Sequence, residues 1–341
     1  MTKPEKFTSR ENSGEDTIAE TWRLRQPISA KLIVFLLAIS VLLGLSAHRS
    51  QMDRAFMETL GAVGSLFGWG ESRVIKGAAN FIGKSFPLVL EERTEVSRIS
   101  DFDPNDLPMF AYLKIEETRE YDTETEAWKI YSSQWLINPY GYLWRVIGKM
   151  ADTIEIAIWG TILSVSLALP LAFFAAKNYS PSKILYHVAR AICSFNRAVP
   201  DLISALFFVL MYGFGPIAGI LALGFHTSGF LGKFFADEIE NADPGPQLAL
   251  SCTGASRLQV LRFAVLPQVV PQYFAYVQYI LERNIRMATV LGIVGAGGIG
   301  MELKGRWDMF NFGHVSTILL AILLTVLALE HLTQWLRAKF I

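Results

Sequence analysis

The chain has 341 residues, of which 52% are hydrophobic and 18% are charged, and its formal net charge is zero. This composition is too apolar for an ordinary soluble domain and too polar for a chain that lies wholly within a membrane. The zero net charge gives no indication of nucleic-acid binding. Two cysteines, Cys193 and Cys252, cannot define a disulfide framework, and the histidines show no metal-ligand spacing.

Six runs of mostly apolar residues are long enough, or nearly so, to cross a bilayer, which takes about 20 residues. They are residues 31–47, 153–176, 184–212, 215–235, 270–300 and 313–336. Polar or helix-breaking residues interrupt the third and fifth runs, namely Asn196, Arg197, Pro200, Asp201, Glu282, Arg283, Asn284 and Arg286. We therefore expect an all-α membrane protein with about six transmembrane helices.

The first run has an alternative interpretation as a cleaved signal peptide, because Leu45-Ser46-Ala47 is similar to a cleavage site. The charged region before it is about 30 residues, far longer than the corresponding region of a usual signal peptide. The sequence favours an uncleaved transmembrane anchor preceded by a tail of residues 1–30.

The distribution of lysine and arginine predicts the orientation of the chain in the membrane. These residues concentrate in the N-terminal tail, in the loop after the second run, around residues 233–262 and at the C-terminus. Six spans place all four segments on one side, so we expect both termini and the loop of residues 240–267 in the cytoplasm.

Residues 48–150 form a long segment that this orientation places on the outer side. Residues 54–86 have apolar side chains at helical spacing with glycine breaks, which is typical of helices lying along a membrane surface. Residues 88–138 are acidic and aromatic and predict a small soluble insertion. This insertion is either a solvated surface feature or a contact for a binding protein.

The stretch of residues 247–267 is a polar, helix-forming segment between two apolar regions. Gly254 permits a turn between two short helices, and Pro267 is expected to end the second helix. The segment resembles the cytoplasmic coupling loop of ABC-importer permeases, in which Gly254, Leu266 and Pro267 keep the spacing and Ala249 fits a motif alanine. Leu248 stands at the usual glutamate position and Ala264 at the usual isoleucine position. The alternative is an ordinary amphipathic loop helix.

Four further segments are similar to the phosphonate-type permeases of ABC importers. They are residues 194–202, 225–246, 253–267 and 282–303, and the resemblance covers residues 150–340. It implies a type I importer core over residues 151–337 that forms a homodimer in the bacterial inner membrane. The implied partners are a second copy, a cytoplasmic ABC ATPase dimer that holds ATP and magnesium, a periplasmic substrate-binding protein and membrane lipid.

The resemblance also implies the substrate class and the docking residues. The substrate would be phosphonate, phosphite or hypophosphite, and this chain would carry no catalytic residue and no cofactor of its own. The ATPase would contact residues of the coupling loop, namely Leu248, Ala249, Thr253, Gly254, Ala255, Ser256, Arg257, Leu266 and Pro267.

Charged residues at membrane depth are candidates for a translocation pathway or gate, because burying charge in lipid is costly. Arg197 and Asp201 are four residues apart and are predicted to pair along one helix face, as a gate element or as a structural ion pair. Arg283 or Arg286 can lower the barrier for an anion, with Glu282 balancing the charge. The alternative is that residues 282–286 mark an interfacial break in the fifth span.

Gly295, Gly297 and Gly300 spell a dinucleotide-binding pattern, but position 320 is a leucine and the run lies inside an apolar span. We interpret these glycines, with Gly298, as a site of close helix packing or a hinge. His226 is expected to satisfy a neighbouring helix rather than to bind an oxyanion.

Two other function classes compete with an ABC permease. An ion-coupled secondary transporter usually shows two related halves, and none is visible here. A membrane-embedded enzyme needs a nucleophile, metal or paired-carboxylate constellation, which the sequence does not show. The sequence also contains no Walker A motif, so nucleotide hydrolysis is expected on a separate chain.

Overall fold

The structure, a computed structural model, describes residues 30–66, 72–100, 102–104, 107–122 and 127–340. The chain divides into two compact units, residues 1–81 and 82–341. The predicted cytoplasmic tail of residues 1–30 lies outside the described residues except for its last position.

The first unit contains helix α1 (Ala30–Arg49), helix α2 (Met52–Leu66) and most of helix α3 (Arg73–Ser85). Helix α1 agrees with the first predicted span, and its leucine, isoleucine and valine side chains are mostly exposed. An apolar helix that the protein does not cover is typical of a segment in lipid. Helices α2 and α3 agree with the helical spacing predicted over residues 54–86.

The second unit begins with a small sheet that the sequence did not predict. Strands β1 (Glu92–Glu95), β2 (Tyr112–Asp122) and β3 (Ala127–Asn138) form an antiparallel sheet in the order β1-β3-β2. The sheet occupies the predicted insertion. It is joined to the helical core through Val89, whose carbonyl oxygen accepts a 2.8 Å hydrogen bond from Thr317 Oγ1.

The helical core follows the sheet. Its elements are α4 (Gly141–Ala175), α5 (Lys183–Ala198), α6 (Asp201–Tyr212), α7 (Pro216–Asn241), α8 (Pro244–Cys252), α9 (Arg257–Val260), a π-helical turn (Leu261–Val265), α10 (Leu266–Ile293), α11 (Gly298–Asp308) and α12 (Phe312–Phe340). Within the described ranges, five helical segments are long and apolar enough to cross a membrane, or up to six if α5 and α6 count as one span.

The third predicted span, residues 184–212, is not straight. Helices α5 and α6 meet at 90°, with extended backbone at Val199 and Pro200. Proline has no N–H group to continue the helix, and it disfavours helical geometry at the residue before it. The sequence correctly marked an interruption here, but the structure shows a sharp break between two helices.

Two other local predictions are wrong. Glu282, Arg283, Asn284 and Arg286 do not break the fifth span, because α10 runs through them without interruption to Ile293. Pro267 does not end a helix either, since it lies in the first turn of α10 and helical backbone both precedes and follows it. The fifth span ends instead at Val294–Gly297, where Gly295 and Gly297 have positive φ angles.

Close packing of small residues holds this core together. Helix α7 packs against α4, and both Gly160 and Gly224 lie at the contact, where an added Cβ would be 2.9 Å and 2.6 Å from leucine side-chain atoms. After the turn, Gly300 of α11 packs on Gly292 of α10, with 2.8 Å between an added Cβ and the Gly292 Cα. Such contacts let membrane helices approach closely.

We predict that Gly300→Ala destabilises the protein, because its new methyl group would overlap the Thr289 carbonyl oxygen. Overpacking of this kind costs about 1–3 kcal/mol. The matched control is Gly305→Ala in the same helix, where an added Cβ meets no atom within 4 Å. Unfolding in detergent micelles titrated with SDS measures both variants. Equal stability of the two would refute the packing role of Gly300.

Candidate functional site

The coupling loop contains the two helices predicted by its sequence. Helix α8 begins after Asp243, whose side chain accepts the Gly245 N–H at 2.9 Å. Helix α9 begins after Ser256, whose N–H group donates to the Gln259 side chain at 2.8 Å. Gly254 lies between them with a φ of +82°, a conformation that glycine adopts without steric cost.

The surface of this loop is unusually apolar for a segment between membrane helices. Leu248, Leu258 and Phe263 are 63%, 67% and 63% exposed. Exposed large apolar side chains on one short segment are typical of a protein contact surface. The remaining docking candidates Ala249, Thr253, Gly254, Ser256, Arg257 and Pro267 are exposed, whereas Ala255 and Leu266 are half-buried.

Polar side chains attach the loop to the neighbouring helix ends. Tyr179 donates from its hydroxyl group to Gln247 of α8 at 3.1 Å. Glu240, at the end of α7, accepts the Lys177 N–H at 2.7 Å and an Arg190 guanidinium N–H at 3.0 Å. The loop is therefore bonded to α5, to the segment between α4 and α5, and to the end of α7.

A π-helical turn connects the loop to α10, in which the Leu266 N–H group donates to the Leu261 carbonyl oxygen. Such turns inside longer helices are frequent at functional sites. Ala264, at the usual isoleucine position, lies in this turn and is buried. The Ala264 side chain therefore packs on the core and is not exposed for contact with another protein.

A buried cluster of charged and polar groups lies where α5 and α6 break. His226 Nδ1 donates to the Val199 carbonyl oxygen at 2.8 Å, which leaves Nε2 facing two other groups. Nε2 is 3.0 Å from Arg283 Nη2 and 2.8 Å from Asp201 Oδ1. The second distance is a close contact and not a hydrogen bond, since Asp201 Oδ1 has no hydrogen-bond partner in the described chain. Asp201 Oδ2 lies 3.4 Å from Arg283 Nη2.

This cluster lies near the middle of the helical core. His226 is about 15 Å along α7 from Pro216, and Arg283 is about 15 Å along α10 from Ile293. These two helix ends are neighbours, because the Gly215 N–H donates to the Gly295 carbonyl oxygen at 3.0 Å. A hydrocarbon layer is about 30 Å thick. The charges are therefore close to the midplane of a bilayer that these helices would span.

The predicted pairing of Arg197 with Asp201 is wrong. Asp201 turns towards α7 and α10, since the break at Pro200 separates the helix that carries Arg197 from the helix that carries Asp201. Arg197 instead places its guanidinium carbon 5.5 Å from the centre of the Phe230 ring. The guanidinium carbon of Arg283 lies 4.8 Å from the centre of the same ring.

Of the other pathway candidates, Pro200 lies beside Asp201 at the break, and the rest bond to groups outside the cluster. Arg286 pairs with Glu282 at 2.7 Å along α10. Asn284 is buried and donates to Thr161 Oγ1 at 2.9 Å, while Asn196 donates to Ser228 Oγ at 3.0 Å. Phe230 could not be predicted from the sequence, because no sequence pattern indicates that arginines of two other helices lie beside its ring. His226 bonds to neighbouring helices, as expected.

Residues 168–340 match the family described as binding-protein-dependent transport system inner membrane component. The Stutzerimonas stutzeri protein named "Putative phosphite transport system permease protein HtxE" is 47% identical over 260 residues, which is 75% of this chain and 100% of that protein.

The chain belongs to the family of binding-protein-dependent inner membrane transport components.

A second relative and a solved structure are also similar to this inner membrane component. The phosphite transport system permease protein PtxC of Stutzerimonas stutzeri is 43% identical over 194 residues, which is 57% of this chain and 70% of that protein. A solved structure of the inward-facing MetNI methionine ABC transporter aligns with 58% of this chain and 97% of that chain, with a TM-score of 0.52 and 19% identity. The helical core therefore has the fold of a type I importer permease, as predicted.

We predict that Asp201→Asn and Arg283→Gln each destabilise this inner membrane component, because each leaves a buried charge without its partner. Breaking such a pair costs about 3 kcal/mol. The double variant should lose less than the sum of the single losses by about 1 kcal/mol or more.

The matched control is Arg286→Gln, whose side chain is 45% exposed and pairs along one helix. It should cost no more than about 0.5 kcal/mol. SDS titration in mixed micelles measures all four variants. Strictly additive losses at Asp201 and Arg283 would contradict their direct interaction.

Proposed function

We propose that this chain is the permease subunit of an ATP-driven importer for a reduced phosphorus oxyanion such as phosphonate, phosphite or hypophosphite. The observation that carries the proposal is the 47% identity, over the full length of the relative, to a protein named for phosphite transport. A second relative, at 43% identity, is also named for phosphite transport. Identity at this level supports a related substrate.

The coupling loop supports a separate ATPase as the source of energy. It presents Leu248, Leu258 and Phe263 to solvent on a segment that the lysine and arginine pattern places in the cytoplasm. A cytoplasmic ATPase dimer that holds ATP and magnesium would cover this surface. Leu248 stands where related permeases carry an acidic residue, so the ATPase contact here is apolar.

A second copy of this chain would complete the translocation pathway. Helix α6 leaves large apolar side chains uncovered, with Leu206, Phe207 and Leu210 being 48%, 58% and 85% exposed. Lipid covers apolar side chains as well as protein does, so their exposure alone does not indicate a partner. Arg283 of the same core, however, has 24% of its charged side chain exposed. A charged group at the midplane is rarely left facing lipid. We therefore place the partner copy across this face, with a periplasmic binding protein delivering the substrate.

The direct test is reconstitution of the permease with its ATPase and binding protein in liposomes. We expect uptake of a radiolabelled phosphorus oxyanion that requires ATP and stops when the ATPase is omitted. Cells lacking the gene should lose growth on that oxyanion as the sole phosphorus source. Uptake that an ion gradient drives without any ATPase would instead establish an ion-coupled secondary transporter.

A variant of the loop turn tests the coupling step itself. Gly254→Pro forces φ to about −65°, which is incompatible with the observed +82°. We expect at least about a tenfold loss of transported anion per ATP hydrolysed, with membrane insertion unchanged. The matched control is Gly254→Asn, because asparagine adopts left-handed backbone more readily than most residues. Wild-type transport by the proline variant would exclude a role for this turn.

A further inference from the structure

Two arginines from different helices meet at one aromatic ring in the middle of the core. Arg197 ends α5 and Arg283 belongs to α10, and their guanidinium carbons lie 5.5 Å and 4.8 Å from the centre of the Phe230 ring of α7. Both distances are within the range of an attractive cation–π contact. The two guanidinium carbons are therefore at most about 10 Å apart, and the ring neutralises neither charge.

The acids nearby compensate only one of these charges. Asp201 pairs with Arg283 and His226. Arg197 forms no ion pair with any acidic side chain in the part of the chain that the structure describes. Two guanidinium groups and one carboxylate therefore leave Arg197, Arg283 and Asp201 together with one net positive charge.

A net positive charge near the bilayer midplane is costly unless an anion or water compensates it. The same charge lowers the barrier that a low-dielectric layer presents to a crossing anion. Guanidinium groups suit this task, because their planar donor fork matches the oxygen atoms of a phosphoryl group. Asp201 limits the attraction, which keeps a bound anion able to leave.

We propose that Arg197 and Arg283, held at Phe230, form a transient binding site for a phosphorus oxyanion in the translocation pathway. This inference rests on the proposed function for its ligand class. Asp201 and His226 act as positioning residues, because they contact Arg283 and orient it. Arg197 is the group that supplies the uncompensated charge.

The first experiment measures binding without transport. The thermal midpoint of the purified permease is followed with millimolar methylphosphonate at constant ionic strength, with chloride as the reference anion. The wild type should be stabilised by methylphosphonate and not by chloride, since a ligand that binds the folded state raises its stability. Arg197→Gln should lose this shift, and Arg197→Lys should retain part of it.

The second experiment measures uptake and ATP hydrolysis by the reconstituted complex. Arg197→Gln should lower uptake about tenfold, while hydrolysis stimulated by the loaded binding protein stays within about twofold of wild type. Arg197→Lys should restore at least about half of the uptake, because it keeps the charge. Lys304→Gln removes an exposed charge of α11 that pairs with Asp308, and it should behave as wild type.

The outcomes separate this inference from the function on which it rests. A wild-type complex that imports phosphorus oxyanions, with an Arg197→Gln variant equal to it in both experiments, would overturn the binding site and leave the function intact. The opposite result is a complex that imports no phosphorus compound but still shows an anion-dependent thermal shift that requires Arg197. That result would support the anion-binding site and contradict the proposed import function.

One alternative role for Arg197 is purely structural. In that case Arg197→Gln and Arg197→Lys would lower assembly, hydrolysis and uptake together. Phe230→Leu distinguishes the two roles if Arg197→Gln does not fold, because it keeps an apolar side chain and removes the ring. The binding site predicts a reduced anion-dependent shift with normal assembly in Phe230→Leu, and an unchanged shift would contradict it.

Discussion

The core of this protein depends on the pairing of Asp201 with Arg283 and His226. A lone carboxylate in a low-dielectric layer is costly, and pairing with hydrogen-bonding cations is what makes its burial tolerable. Because Asp201 is the first residue of α6, this pairing joins the broken helix pair to α7 and α10 at one point. The break at Pro200 turns Asp201 towards that junction and leaves Arg197 on the other helix, beside Phe230.

Helix α10 connects this junction to the coupling loop. Arg283 lies about 26 Å along the helix from Leu266, so one continuous helix carries both the charged cluster and the end that an ATPase would move. The π-helical turn before Leu266 sets the direction in which α10 leaves the loop. The described helix is therefore unbroken between the loop and the junction.

The local features of this structure could be predicted from sequence, and the distant contacts could not. The two loop helices, the turn at Gly254 and the apolar spans follow from residue spacing and backbone preference within short windows. The partner of Asp201 lies 82 positions away, so the sequence offered only its neighbour Arg197. The sheet over residues 92–138 was missed because acidic residues interrupt the alternation that indicates strands in β1 and β2, and Ser132-Ser133-Gln134 interrupts it in β3.

The proposed function requires the coupling loop to lie in the cytoplasm beneath an ATPase. Cys252 is an exposed native thiol in this loop, and Cys193 is buried in the core, which makes it an internal control. A membrane-impermeant thiol reagent should label Cys252 in inside-out vesicles, fail to label it in right-side-out vesicles, and label it more slowly once the ATPase is bound. Labelling from the outer face, or labelling that the ATPase leaves unchanged, would contradict the account.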